Sequence, residues 1–430
     1  MTIRKLSTQA LTPAEIGRVL RPALDERYAE PMRQVQEIVD RVRAEGDQAV
    51  LEYARRFDTP GLTAADLEVR PEEIDAACAS APAEHIAAIR RACDHVRRFH
   101  AHRVPQSWQH TFDGATLGQR VLPLDRVGIY VPGGTPLPSS LYMAAVPARV
   151  AGVREVVVAC PARRDGTLHP LVLVAARLAG VDRVFRVGSA WAVAALAFGT
   201  ESIPRVDKIV GPGSIYVMLA KRAVFGHVGI ESLPGPSDVL IIADAEQEPA
   251  YVAADLLSQA EHGSESSAVL ATPSAALADA VERELERQLA ALPRRDEALS
   301  SLDGRGALVL CRDLDEAADV ANAVAPEHLE VLVSSGEDAL LERIRNAGAI
   351  FVGPHTPEPL GDYIAGPSHI LPTEGTSRFS SPLGVEDFMK RSSILRYSAA
   401  ALSRDAGATI ALAEAEGLHA HANSVRVRGY

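Results

Sequence analysis

The sequence predicts an α/β protein of two doubly wound, incomplete Rossmann-like modules, with a helical N-terminal segment and a C-terminal arm. Three observations carry that prediction. At 430 residues the chain exceeds what one simple core holds. Two series of short apolar segments alternate with helix-patterned text, the signature of parallel sheets covered by helices. The residues are 47% hydrophobic but only 5% aromatic, so the core must be aliphatic.

The elements follow in order. Residues 30–57 predict helix, because Val35, Ile38, Val39, Val42 and Val50 recur at helical spacing. Residues 71–102 repeat the pattern. From 103 to 126 Pro, Gly and Gln loosen the text, and a crossing between modules is expected there. The first strand series is "VGIYV" (127–131), "EVVVAC" (155–160) and "RVFRVG" (183–188), each followed by helix-like text. The second is "DVLIIAD" (238–244), "SAVLAT" (267–272), "ALVLC" (307–311), "LEVLVS" (329–334) and "AIFVG" (349–353). After about 384 the text holds a helical "ATIALAEAEGLHAHA" and no further strand series is expected. The expected divisions are a segment 1–25, a discontinuous module of 26–103 plus 237–383, a second module 127–236, and an arm 384–430.

Composition narrows the function. A net charge of -12 argues against a nucleic-acid partner, which would call for a basic stripe. Cys78, Cys93, Cys160 and Cys311 are scattered and form no CxxC pair, as in a reduced, cytoplasmic protein. The opening "MTIRKLSTQA" has no apolar signal-peptide region, and no apolar run reaches the roughly 20 residues of a membrane span.

Three motifs could carry chemistry. The loops "VPGGTPLPSS" and "GPGSIY" would let a backbone approach a pyrophosphate, yet neither completes GxGxxG, and both also read as plain turns. In "SQAEHGSE", Gln259 and His262 lie one helical turn apart, on one side of the chain. Further histidines fall in polar contexts, "APEHLE", "GPSHI" and "HAHANS", and Asp362 lies in the punctuated loop "LGDYIAGPSH". Such a set suits zinc or a harder divalent ion; without HExxH, spacing leaves metal site and unrelated polar residues both open. "PEHLE" places Glu327 beside His328, which reads either as a helix start or as an acid–base pair in one pocket.

Taken together, "RVGIYVPGG", "KIVGPG", "GPSDVLIIAD", "ADLLSQAEH", "APEHLE", "NAGAIFVGPHTPEPLGDYIAGPSHILPT" and "LAEAEGLHAHANSVRVR" resemble the histidinol dehydrogenase family, from about residue 30 to 428. The resemblance implies oxidation of L-histidinol to L-histidine through the aldehyde, with two NAD, as the last step of histidine biosynthesis. It implies one zinc per subunit held by Gln259, His262, Asp362 and His421, with Glu327 and His328 as the catalytic pair. It puts Ser237, His369 and Glu416 near the substrate with Gln259, His262, His328, Asp362 and His421, and Tyr130, Trp191 and Ser214 near the cofactor, on the 127–236 side. It also implies a homodimer in which the arm completes the partner's site.

Two positions depart from the family pattern. "GSAW" puts Trp191 where a glutamine is usual, and "GPGS" puts Ser214 where an asparagine is usual. An indole offers one donor and a flat face in place of an amide. Trp191 is therefore expected either against the cofactor or turned into a helix–sheet interface. Competing readings are a relative acting on another small amino or polyhydroxy alcohol, a zinc hydrolase using Glu327, and a non-catalytic metal or metabolite binder.

Overall fold

In chain order the strands are β1 (Arg4–Ser7), β2 (Trp108–Phe112), β3 (Ala115–Pro123), β4 (Arg126–Tyr130), β5 (Glu155–Ala159), β6 (Arg183–Phe185) and β7 (Lys208–Val210). Then follow β8 (Gly229–Ile230), β9 (Asp238–Ala243), β10 (Ser267–Thr272), β11 (Ala307–Leu310), β12 (His328–Leu332), β13 (Ala349–Val352) and β14 (Met389–Tyr397). They are seen in a computed structural model that describes residues 2–21, 28–134 and 136–429. The boundary expected between 25 and 26 lies outside the described residues.

Two sheets are parallel, as the two strand series predict. One has the order β6-β5-β4-β7-β8, the other β1-β11-β10-β9-β12-β13. β9 shows why: all six residues of "DVLIIA" are buried, which requires cover on both faces. No helix among the described residues is long and apolar enough to cross a membrane.

The packing corrects three expectations. Residues 26–103 do not join 237–383. Val35, Val39 and Val42 share a core with Ile209, and Ile89 and Val96 share one with Ile129 and Val158, all on the five-stranded sheet. The cause is visible at that sheet's edge: Val69 N donates to Val184 O (2.8 Å) and Arg186 N to Leu67 O (2.7 Å), so this stretch extends β6 outward. Nor is the N-terminal segment separate. β1 pairs in parallel with β11, Arg4 opposite Ala307, and the helix Pro13–Leu20 packs against the helix Leu314–Val324. Gly17 permits that approach, since a Cβ there would lie 2.9 Å from Ala323 O.

The third correction joins two regions. Residues 103–126 are no loose crossing. β2 and β3 form a hairpin through Asp113 and Gly114, both at positive φ (46° and 84°). The arm, expected to hold no further strand series, supplies the single strand β14, antiparallel to β3 with Met389 opposite Pro123. β14 is mostly exposed and its "MKRSSILRY" carries no regular apolar pattern, so its strand form rests on the pairing with β3.

Candidate active site

A cleft of about 830 Å³ lies between the two parallel sheets. The five-stranded sheet turns its carboxyl ends to it: Pro132 follows β4, and Gly213 and Ser214 follow β7. The helices Pro138–Ala151 and Ile215–Val224 begin there. The six-stranded sheet turns its amino ends: Ser237 precedes β9, Glu327 precedes β12, and His328 opens β12. On that side the helix Pro249–Ala260 ends, and His262 follows it into the cleft. Asp362 and His369 complete this wall.

"PEHLE" is thus the start of a buried strand and not a helix start. His328 faces Val239 across the sheet, and the two segments grip each other. Glu327 N donates to Asp238 Oδ1 (2.8 Å), and Asp238 N donates to Glu327 Oε2 (3.2 Å). His328 Nδ1 lies 3.2 Å from Asp238 O. A carbonyl only accepts, so Nδ1 carries the proton and Nε2 holds the free lone pair. Nε2 is buried without a hydrogen-bond partner, 3.7 Å from Glu358 Oε1 and 3.9 Å from Asp362 Oδ1. Burial lowers the His328 pKa to about 4, keeping the imidazole neutral. Burial, then the Asp238 charge, pushes Glu327 well above the usual carboxylate range, against the opposing hydrogen bonds from the Asp238 N–H and from Ser237.

Behind the pair stands a row of carboxyls that the sequence did not single out. Glu358 Oε2 accepts from Ser258 Oγ (3.1 Å), and Glu358 N donates to Glu330 Oε1 (3.0 Å). The Asp255 carboxyl adds to the charge that Glu330 faces. Burial raises the pKa of all three. Glu358 was legible: it precedes Asp362 by one helical turn in "EPLGD", the spacing that made Gln259 and His262 stand out.

The metal ligands expected from the resemblance fare differently. Gln259 is fully buried, and neither amide atom has a partner in the protein. An amide so placed costs stability unless something else satisfies it, and its oxygen, as a lone-pair donor near His262, fits a bound cation. His262 N closes the turn onto Gln259 O (3.2 Å). His328, Glu358 and Asp362 bring ligand atoms within 4.8 Å of one another. His369 Nδ1 contacts Asp362 O (2.9 Å). His421 and Glu416 are exposed on the arm and do not line the cleft.

On the cofactor side, Ser214 lines the cleft as the N-cap of its helix, without a side-chain cap bond. Tyr130 is buried, and its hydroxyl accepts from Ser189 N (3.1 Å). Trp191 packs against another helix, Asp47–Phe57, and not into a helix–sheet interface. It is 4% exposed and stacks between Tyr53 and Phe57, both rings 5.7 Å away. It does not line the cleft.

A sequence model of the histidinol dehydrogenase family matches residues 21–429. The histidinol dehydrogenase of Nitratidesulfovibrio vulgaris is 54% identical over 399 residues, spanning 92% of this chain and 91% of that protein. That of Heliobacterium mobile is 52% identical over 397 residues, spanning 92% and 93%. The crystal structure of histidinol dehydrogenase from Elizabethkingia anophelis superposes with a TM-score of 0.93 at 32% identity, covering 99% of this chain and 98% of that one.

Proposed function

Since the chain belongs to the histidinol dehydrogenase family and is a dehydrogenase, we propose that it oxidises L-histidinol to L-histidine through L-histidinal, reducing two NAD, as the last step of histidine biosynthesis. The observation that carries this reading is the Gln259 amide, buried and unpartnered at both atoms beside the Glu327–His328 pair's wall of the cleft.

In this reading Gln259, His262 and Asp362 hold zinc. When bound, zinc supplies a cation that seats the substrate's imidazole and amine so that the carbinol faces the nicotinamide. Ser237, His369 and Glu416 complete the substrate's surroundings. His328 Nε2 takes the carbinol proton as hydride leaves to the nicotinamide. The aldehyde then needs water. Glu327, once ionised, is a stronger base than a solvated carboxylate because burial raises its pKa. It takes a proton from the water that attacks the carbonyl, and the hydrate loses the second hydride. Tyr130 and Ser214 border the cofactor side, and Trp191 shapes that side from within.

The proposed unit is a cytoplasmic homodimer. Of the four expected ligands, His262 and Asp362 line the cleft and Gln259 is buried one turn before His262, while His421 is on an exposed arm. The three-stranded sheet and the arm also expose Phe112 (58%), Leu395 (69%), Leu412 (67%) and Val427 (70%), the kind of apolar surface a second copy would cover. The deciding experiment is a spectrophotometric assay of NADH formation with histidinol and zinc-loaded protein. Two NADH per histidinol are expected; none at any zinc load sinks the reading.

A further inference from the structure

The residue that precedes the catalytic pair's proline is strained. Ala325 sits at φ +52°, in the left-handed region that side chains rarely adopt. Its carbonyl accepts from Arg21 (2.9 Å) and from Ser377 Oγ (2.9 Å). The same nitrogen of Arg21 lies 3.2 Å from Asp238 Oδ2. Asp238, as above, exchanges two hydrogen bonds with Glu327 and offers its carbonyl to His328. Arg21 therefore ties together the two segments that carry the pair, from the end of the helix Pro13–Leu20, whose own seat is fixed by the close contact at Gly17.

We infer that Arg21 and Asp238 are positioning residues for Glu327 and His328: the guanidinium pins strained Ala325 to Asp238, and Asp238 holds the pair in register. This rests on the catalytic roles proposed above. Three functions converge on Asp238. Its backbone N–H fixes the Glu327 carboxyl, its carboxylate fixes the Glu327 backbone, and its carbonyl fixes the His328 tautomer. Neither side chain lines up to exchange a proton with the substrate: Arg21 acts through the positions of Ala325 and Asp238, and Asp238 acts on Glu327 through these hydrogen bonds and its charge. Small misplacements of reacting groups are enough to slow a reaction by orders of magnitude. A cavity of about 260 Å³ lies directly at this clamp, lined by Arg21, Asp238, Ser237, Arg305 and Glu374. It offers a free guanidinium ion a route to the place of the Arg21 head group.

The experiment uses the full-length zinc-loaded protein with Arg21→Ala, Arg21→Lys and Asp238→Asn. Arg21→Ala should lower kcat by about tenfold or more, with KM for histidinol and zinc content unchanged. Guanidinium chloride well below unfolding concentrations should restore much of the loss in Arg21→Ala, and equal sodium chloride should not. Arg21→Lys should lie between wild type and Arg21→Ala. Asp238→Asn keeps an acceptor for Glu327 N but loses the ion pair, so it should lose kcat and gain nothing from guanidinium. Hydrogen exchange over residues 325–332 gives a readout independent of substrate. Exchange there should quicken about tenfold in Arg21→Ala, while β10 stays protected. Unchanged exchange in this stretch, or a loss borne by KM alone, overturns the inference. If wild-type protein does not oxidise histidinol, the proposed function fails, and the exchange measurement still decides the positioning role.

Discussion

The two parallel sheets meet one cleft with opposite ends, and each end suits a different ligand charge. The five-stranded sheet offers carboxyl ends and the starts of helices, at Pro138 and Ile215. Helix starts present free N–H groups and a positive dipole end, which favour anions such as a pyrophosphate. The six-stranded sheet offers amino ends and the end of the helix Pro249–Ala260. Helix ends favour cations. The familiar rule that ligands sit at the carboxyl ends of parallel strands is obeyed by one sheet and reversed by the other. The titratable side chains gather on the reversed side, at Glu327, His328, Asp362 and His262. The opposite wall brings glycine, proline and serine.

That contrast breaks if changes on the two sides have the same consequences. The largest effect belongs to the pair itself. Glu327→Gln should slow oxidation of supplied histidinal by about 10²–10⁴-fold, and His328→Asn should slow the alcohol step by a similar factor. Single-turnover assays of each half-reaction separate them, and equal damage to both halves from each change would count against the division of labour. Next comes His262→Asn, which should take zinc from about one per chain towards none and remove activity. Metal analysis of the purified variant checks this, and full zinc retention would clear His262 of a ligand's role.

The opposite wall should leave zinc alone. Trp191→Gln should cost about 3 kcal/mol of stability in denaturant unfolding, because it removes a stacked indole and buries an amide. A stable variant with altered NAD affinity would instead put the indole on the cofactor. Gly211→Ala should cost about 1–3 kcal/mol and weaken NAD binding with zinc unchanged. Gly211 has φ +116°, and a Cβ there would lie 2.1 Å from Tyr130 O. The smallest effect is Ser214→Asn. It should shift NAD affinity by no more than a few-fold, since both residues cap a helix equally well and the serine makes no cap bond to lose. Calorimetric titration with NAD measures it, and any change in zinc content would blur the two walls.

Much of the fold was legible because strand pattern is local. β9, β10, β11, β12 and β13 lie within one or two residues of the apolar runs that announce them. β2 and β3 were missed, although the Asp113–Gly114 step between them is a strong short-range hairpin signal. What could not be read was assignment between distant parts. Nothing in residues 29–101 says which sheet they cover, since an amphipathic helix fits either. At the site, Gln259, His262 and Glu358 stand out through helical spacing. Asp238 and Arg21 do not, because their meaning arises only where β9, β12 and the first helix converge. The polarity of the six-stranded wall was equally silent, for it depends on which way a whole sheet is turned.

The pairing of β14 with β3 has a consequence for how the chain is made. Its two strands stand more than half the sequence apart, Met389 opposite Pro123 and Tyr397 opposite Ala115. On a ribosome the hairpin of β2 and β3 emerges early and must wait, one edge open, until residues 389–397 are synthesised. Both parallel sheets can already be complete by then, because β13 ends at Val352. A chain that stalls or is cut before residue 389 would carry an intact cleft and a bare strand edge, and bare edges recruit other chains. Truncated products of this protein should therefore aggregate before they unfold.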